Sequence, residues 1–159
     1  MLKVKFVDIR GVEILKRILF VCTGNTCRSP MAEGIFKKIT KPNEYIIESA
    51  GLMTSNGNEA SQNAIEVCKE IGVDISAHKS KPITEIDNIN QVDLFVAMTD
   101  SHAQVLKKLN ISEDKIVVLG EGIPDPYMMD IDEYRKTRDK IKEALNNLYK
   151  KIRVDKIDT

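Results

Sequence analysis

Short apolar runs alternate with amphipathic stretches along most of this chain. Residues 17–22 form an apolar run that ends at Cys22, and Met31, Ile35 and Ile39 follow four residues apart. That spacing places them on one face of a helix. The whole pattern predicts four strands, at residues 17–22, 44–49, 92–98 and 116–119. It also predicts four helices, at residues 29–39 and 59–71, from Ser101 to Leu109, and at 131–150.

The alternation of strands and helices indicates the fold class. Strands separated by helices form a parallel sheet that is covered on both faces. We therefore predict an α/β protein with three αβα layers, a four-stranded parallel sheet and a Rossmann/flavodoxin-like arrangement. A chain of 159 residues is one domain by ordinary size statistics. Folds of this class place their sites at the carboxyl ends of the strands.

The composition excludes some partners. Apolar residues make up 42% and charged residues 30% of the chain, which is typical of a globular domain. The 24 Lys and Arg residues are balanced by 24 Asp and Glu residues, so no overall field attracts nucleic acid or an anionic membrane. We expect neither partner, and any anion site must be local.

The cysteines and the first residues of the chain favour a cytoplasmic protein. Three cysteines are an odd number in a chain large enough to fold without disulfides. Charged side chains interrupt residues 1–17, which therefore do not resemble a secretory signal. No run approaches the roughly 18 apolar residues that span a bilayer. Two distant histidines and no Cys-x2-Cys motif predict no metal, and we expect no other cofactor.

The segment from Cys22 to Arg28 joins the first predicted strand to a helix that begins at Ser29 and Pro30. Proline at the first helical position is a helix-start signal. A tight loop there can turn successive backbone N–H groups inward and form a nest for an anion. We expect Gly24 to supply the backbone freedom for this turn. The planar guanidinium of Arg28 suits two phosphate oxygens, so the segment predicts a phosphate-binding loop.

Cys22 would lie at the floor of this nest. Positive potential stabilises a thiolate, and the Ser29 hydroxyl can donate a further hydrogen bond to the sulfur. Such a thiolate can attack a bound phosphorus atom. A Cys-x5-Arg pattern can also be a buried cysteine followed by a surface arginine. The preceding strand, the internal glycine and the following Ser-Pro argue against that interpretation.

A second loop contains a candidate acid. Displacing oxygen or nitrogen from phosphorus requires a proton at the departing atom, and a carboxylic acid can supply it and then activate water. Asp125 lies between Pro124 and Pro126, which stiffen the loop. Taken alone, this pattern is typical of an ordinary turn. Combined with the phosphate-binding loop, it makes Asp125 the predicted general acid.

The sequence from Val21 to Glu33 resembles the active-site signature of the low-molecular-weight protein tyrosine phosphatase family. Within that family it is most similar to the bacterial protein-arginine phosphatases. The likeness covers roughly residues 17–150 and includes the segments 48–51, 78–80, 97–99, 125–127 and 132–139. The resemblance implies a phosphatase domain at residues 17–159, preceded by an N-terminal extension of unknown role at residues 1–16.

The resemblance also implies roles for individual residues. Cys22, Arg28 and Asp125 would be catalytic, through a phosphocysteine intermediate. Phosphorylated proteins would be the substrates, and inorganic phosphate would be the product and a competitive inhibitor. The phosphate-binding residues would be Thr23, Gly24, Asn25, Thr26, Cys27, Arg28 and Ser29. Because a nest of inward amides needs external bracing, the loop would be supported by Asn25, Ser29, Ser49 and His78.

Three residues concern substrate choice and redox control. Thr26 occupies a position where tyrosine-directed members have an aliphatic residue, so we favour phosphoarginine over phosphotyrosine. Thr26 and Tyr127 would line the substrate pocket. The resemblance implies that Cys27 can form a reversible disulfide with Cys22, which would make the enzyme redox-sensitive. A simple loop-filling role for Cys27 fits the sequence equally well.

Two further residues with reactive or titratable side chains are expected to lie outside the phosphate site. Cys68 belongs to a helical apolar stripe and is predicted to be core, whereas His102 is predicted to be solvated.

An arsenate reductase of this fold would need further cysteines around residues 80–95, where the chain has none. A phosphocarrier domain would keep its phosphocysteine, and an acid such as Asp125 would promote its hydrolysis.

Overall fold

A computed structural model describes residue 10 and residues 16–157 of the chain. The predicted N-terminal extension therefore lies almost wholly outside the described residues. In chain order, the strands are β1 Lys16–Cys22, β2 Tyr45–Gly51, β3 Leu94–Ala97 and β4 Ile116–Val118. The helices are α1 Arg28–Ile39, α2 Gln62–Lys69, α3 Asp100–Lys108 and α4 Ile131–Ile157. Single 3-10 turns occur at Ile83–Glu85, Ile89–Gln91 and Glu113–Lys115.

The four strands form one parallel sheet in the order β2-β1-β3-β4. The register places Cys22 of β1 opposite Gly51 of β2, and Val21 opposite Ala97 of β3. After β2 the chain crosses to the other side of β1, so the strand order reverses there. A crevice for a ligand forms at the carboxyl ends of the strands at such a switch point. The predicted four-stranded parallel α/β fold is confirmed.

Helices cover both faces of the sheet, which confirms the three predicted layers. Ile18, Phe20 and Val96 pack in the core on the face that carries α1, α2 and α4. The alternate residues Leu19 and Val21 pack on the opposite face, with α3 and the 3-10 turns near residue 83. This alternation follows from the two-residue period of a strand. Among the described residues, no helix has both the length and the apolar character required to cross a bilayer.

The first residues of α3 and α2 differ from the prediction for a physical reason. Helix α3 begins at Asp100 and not after Ser101, because the Thr99 side chain accepts a hydrogen bond from the backbone N–H of His102. Helix α2 begins three residues later than predicted, after Ser61, whose hydroxyl accepts from the N–H of Ala64. Side-chain caps of this kind fix where a helix begins.

Helix α4 is seven residues longer than predicted and ends at Ile157. Its apolar stripe continues past residue 150 and is buried against the sheet and helices at Tyr134, Ile141, Leu145, Leu148 and Ile152. Continued burial explains why the helix does not stop at 150, since most helical stability in proteins comes from packing of an apolar face.

Candidate active site

The loop at residues 22–28 connects β1 to α1 at the carboxyl edge of the sheet. It forms one side of a cavity of about 320 Å³. The cavity is lined by Cys22, Thr23, Gly24, Asn25, Thr26, Cys27, Arg28, Thr54, Asn58, Asp125 and Tyr127. The three residues predicted to be catalytic, Cys22, Arg28 and Asp125, therefore meet in one cavity. A separate cavity of about 400 Å³, near Phe95 and Leu109, contains none of the predicted site residues.

The Cys22 sulfur lies at the floor of this cavity and is surrounded by hydrogen-bonding groups. Cys22 is only 3% exposed. The Ser29 hydroxyl lies 2.9 Å from the sulfur, and the backbone N–H of Asn25 donates to it at 3.3 Å. Donors aimed at a sulfur stabilise negative charge on it. The arrangement suits a thiolate nucleophile that lies at the end of β1, beside the first turn of α1.

Asn25 adopts the left-handed backbone conformation that the loop requires, with φ 55°. We expected Gly24 to supply this freedom, and that expectation is wrong, since Gly24 lies outside the left-handed region. Asparagine tolerates this conformation better than most residues. Its buried amide holds the turn, because Nδ2 donates to Ser29 Oγ at 2.8 Å and to Ser49 Oγ at 3.0 Å. The Oδ1 atom accepts from the backbone N–H of Lys81 at 3.0 Å.

The bracing continues outward from Asn25 through residues that are distant in sequence. His78 Nε2 donates to the carbonyl oxygen of Asn25 at 2.8 Å. Ser49 Oγ donates to Glu33 Oε1 at 2.6 Å. The four predicted support residues, Asn25, Ser29, Ser49 and His78, thus form one hydrogen-bonded group with the loop. Ser29 is fully buried and lies behind the sulfur, not in the cavity wall.

The end of β2 passes unusually close to the same loop. The N–H groups of Leu52 and Met53 donate to the carbonyl oxygens of Cys22 and Thr23, both at 2.9 Å. A Cβ atom on Gly51 would lie 2.8 Å from the Thr23 carbonyl oxygen, which is closer than atoms pack. Glycine at this position therefore permits the close approach of two backbones.

Arg28 connects the phosphate-binding loop to the loop that contains the candidate acid. Its side chain is buried, and Nη1 donates to the Ile123 carbonyl oxygen at 3.1 Å. Nη2 lies 3.5 Å from Asp125 Oδ2, and the Asp125 side chain is 50% exposed. The other carboxylate oxygen accepts from the Tyr127 N–H at 3.0 Å. Tyr127 lines the cavity and is 63% exposed, and its role in substrate binding stays a prediction.

His102 is buried beside the loop, which contradicts the expectation of a solvated histidine. It is 6% exposed. Its Nε2 lies 2.8 Å from Thr23 Oγ1 and its Nδ1 lies 3.0 Å from Thr99 Oγ1. Burial, together with the nearby Arg28 cation, lowers the pKa of His102 to about 4. The sequence offered one signal of this location. His102 lies three residues after Thr99, in the first turn of the helix that follows β3, and β3 ends at the edge of the sheet that carries the site.

Cys27 immediately precedes α1, and its sulfur has hydrogen-bonding partners different from those of Cys22. The Sγ atom lies 3.3 Å from the Tyr134 hydroxyl and donates to Ser61 Oγ at 3.4 Å. Burial and the bond to Cys27 raise the pKa of Tyr134 to about 12. Cys22 and Cys27 are both reduced in this structure, and their reversible disulfide stays a prediction. Cys68 is buried in the core as expected, and burial raises its pKa to about 12.

Two cavity residues, Thr54 and Asn58, were not anticipated from the sequence. Both follow β2 and lie opposite the phosphate-binding loop. Because β2 is parallel to β1, the segment after its carboxyl end reaches the same edge of the sheet. That rule, applied to residues 52–58, was the signal that could have identified them.

Comparisons with known proteins agree with this geometry. The profile of the family described as low molecular weight phosphotyrosine protein phosphatase matches residues 17–157. A protein-arginine-phosphatase of Bacillus subtilis (strain 168) is 37% identical over 149 residues, which cover 87% of this chain and 98% of that protein. Arsenate reductase 1 of Staphylococcus epidermidis is 36% identical over 140 residues, which cover 86% of this chain and 98% of that protein.

Solved structures share the fold over nearly their whole length. A low molecular weight protein tyrosine phosphatase from T. tengcongensis superposes with a TM-score of 0.80 at 39% identity, covering 86% of this chain and 99% of that chain. A mutant of the YwlE arginine phosphatase that carries a phosphorylated active site serine superposes with a TM-score of 0.78 at 36% identity. It covers 86% of this chain and 95% of that chain.

Proposed function

The chain belongs to the low molecular weight phosphotyrosine protein phosphatase family, and we propose that it hydrolyses phosphoarginine side chains of proteins through Cys22, Arg28 and Asp125. The family and its fold make the chain a cysteine-based protein phosphatase, whose substrates are phosphorylated proteins. The choice of phosphoarginine and the role of each residue are the proposal.

In the first step, the Cys22 thiolate attacks phosphorus and forms an S–P bond. The backbone amides of residues 23–28 and the Arg28 guanidinium hold the phosphoryl oxygens, where they stabilise the charge of the transition state. The P–N bond of phosphoarginine breaks, and the departing guanidine nitrogen takes the proton of the Asp125 carboxylic acid. Arg28, 3.5 Å from Asp125, keeps the phosphate and the acid adjacent.

In the second step, the Asp125 carboxylate takes a proton from water, and the water oxygen attacks the phosphocysteine. The S–P bond breaks, inorganic phosphate leaves and the Cys22 thiolate is restored with Asp125 protonated again. The Ser29 hydroxyl, 2.9 Å from the sulfur, stabilises this leaving thiolate. Phosphate fills the same nest as the substrate, so we expect it to inhibit competitively.

Three polar side chains of the cavity lining support our choice of phosphoarginine. Thr26, Thr54 and Asn58 line the cavity together with Asp125, and each offers an oxygen that accepts hydrogen bonds. A guanidinium group presents several N–H donors that need such acceptors when they leave water. A phosphotyrosine ring needs apolar walls instead, and Tyr127 is the aromatic residue among the lining residues.

Phosphotyrosine is the alternative substrate, and Tyr127 is the observation that favours it. Its exposed ring at the mouth is suited to stacking on a substrate ring. The arsenate reductase and phosphocarrier functions have weaker support. The first lacks relay cysteines at residues 80–95, and Cys68 is buried in the core. The second conflicts with an acid that lies beside Arg28.

The test compares kcat/KM on two peptides of identical sequence, one phosphorylated on arginine and one on tyrosine. We expect the wild-type protein to prefer phosphoarginine. Thr26→Ile should lower the phosphoarginine rate about tenfold, because an N–H group of the substrate guanidinium loses its hydrogen-bond acceptor. The phosphotyrosine rate should change little.

Two controls frame this test. Thr26→Ser keeps the hydroxyl and should keep the preference. Thr84→Ile makes the same change in the separate cavity and should leave both rates unaltered. A wild-type preference for phosphotyrosine, or a preference that Thr26→Ile does not move, would contradict the proposal. The cytoplasmic location expected from the cysteines stays a prediction.

A further inference from the structure

The buried imidazole of His102 joins the phosphate-binding loop to the first turn of α3 through both ring nitrogens. Thr23, its partner in the loop, is exposed and lines the cavity. We propose that His102 is a positioning residue that fixes Thr23: it donates from Nε2–H to the Thr23 hydroxyl oxygen and leaves the Thr23 hydroxyl proton available to an oxygen of the bound phosphoryl group.

The hydrogen bonds around Thr99 support this direction. Thr99 Oγ1 already accepts the backbone N–H of His102 at 3.3 Å, and a hydroxyl has one proton to donate. Donation of that proton to Nδ1, 3.0 Å away, leaves Nε2 as the protonated nitrogen of the neutral ring. The opposite direction would leave the Thr99 proton without an acceptor among the described residues.

The charges near the ring favour the neutral form. Arg28 and Asp125 are the charged groups that act on His102, from the start of α1 and from the acid loop. An imidazolium would add a second buried cation beside Arg28, which burial makes costly. A neutral ring also keeps one acceptor nitrogen for Thr99, which an imidazolium lacks. The lowered pKa, about 4, agrees with a neutral ring near pH 7.

His102 complements the bracing on the other side of the loop. Asn25, Ser49 and His78 hold the middle of the loop, whereas His102 holds its first residue after the nucleophile. The contact between His102 and Thr23 should therefore affect phosphate binding and not the departure of the leaving group. The inference rests on the family's phosphatase activity and is independent of the choice between phosphoarginine and phosphotyrosine, so a small aryl phosphate is the proper substrate.

Two substitutions separate the two bonds of the ring. An asparagine amide reaches the position of Nδ1, and a glutamine amide reaches the position of Nε2. We expect His102→Asn to raise both KM for the aryl phosphate and Ki for inorganic phosphate about fivefold, the worth of one hydrogen bond, with a smaller change in kcat. His102→Gln should restore most of the lost binding. Thr23→Val should match His102→Asn, and the double variant should lose no more than either single one.

Equal Ki values in His102→Asn and His102→Gln would overturn the proposal, as would additive losses in the double variant. A purely structural role would lower the unfolding temperature of His102→Asn with no change in Ki. Nitrogen-15 NMR of the wild-type imidazole at pH 7 tests the same point without any variant. The Nε2–H form is expected, and an Nδ1–H form or an imidazolium would contradict it.

Discussion

The two loops that form the cavity are held in opposite ways. The phosphate-binding loop is buried at Asn25 and Ser29 and is hydrogen-bonded to β2, to His78 and to His102. The acid loop at residues 120–130 buries Ile123 and Pro126 but is otherwise largely exposed, with the Asp125 side chain 50% exposed and Met128 84% exposed. Arg28 holds it to the rest of the site, through the pair with Asp125 and the hydrogen bond to the Ile123 carbonyl oxygen.

This difference corresponds to the part of the substrate that each loop contacts during the reaction. Every substrate presents the same phosphoryl group, so its binding groups gain from being fixed before the substrate arrives. The leaving group and the surrounding protein chain differ between substrates, and the exposed part of a loop can adjust to them. The comparison therefore predicts that substitutions of the residues that brace the first loop affect all substrates alike. Thr26 is the exception in that loop, because its hydroxyl is proposed to bind the guanidine of the leaving group. Substitutions in the second loop should affect substrates according to their leaving group.

The largest effect is expected from Cys22→Ser. An alcohol at this position lacks the thiolate's nucleophilicity, so turnover of every substrate should fall by more than about 10⁴-fold. Cys27→Ser, the same change five residues later, should keep kcat within about tenfold. Steady-state rates on an aryl phosphate measure both. Comparable losses in the two variants would show that the loop, and not the Cys22 sulfur, limits the reaction.

A smaller and substrate-dependent effect is expected from Asp125→Ala. Loss of a general acid lowers kcat by about 10²–10⁴-fold for a poor leaving group, and by less for an activated aryl phosphate. Ki for phosphate should stay the same or fall, because Arg28 loses its carboxylate neighbour. Asp130→Ala, in the same loop, is the matched control and should retain activity. An equal loss of kcat on both kinds of substrate would break the comparison between the loops.

The smallest effect on rate, with the largest on stability, is expected from Asn25→Ala. The change removes the hydrogen bonds to Ser29 and Ser49 and leaves the Lys81 N–H without its partner, which costs about 2–4 kcal/mol of unfolding free energy. We expect kcat/KM to fall about tenfold on all substrates. Asn110→Ala is the control, since exposed Asn110 has a similar φ of 64° without these bonds. Urea unfolding of both variants measures the losses of unfolding free energy, and equal losses would refute the prediction.

The sequence was sufficient to predict the strands, the helices and the residues with a chemical signature. Apolar periodicity is local, and the Cys-x5-Arg segment lies within seven residues, so both can be detected without the fold. The environment of His102 cannot be detected without the fold, because its partner Thr23 is 79 residues away in the chain. Asn25 illustrates a second limit. Glycine and asparagine both tolerate left-handed backbone, and only the hydrogen bonds of the amide decide which of them takes it.

The length of α4 has a consequence for the timing of synthesis. Both loops of the cavity are complete by residue 130, yet this helix of 27 residues, about 40 Å long, follows them. It supplies the Tyr134 hydroxyl beside Cys27 and the side chains through Ile152 that cover one face of the sheet. Chains fold as they emerge, from the N-terminus onward. The packed phosphatase domain therefore cannot form on a nascent chain until α4 has been synthesised, well after both loops of the cavity have emerged.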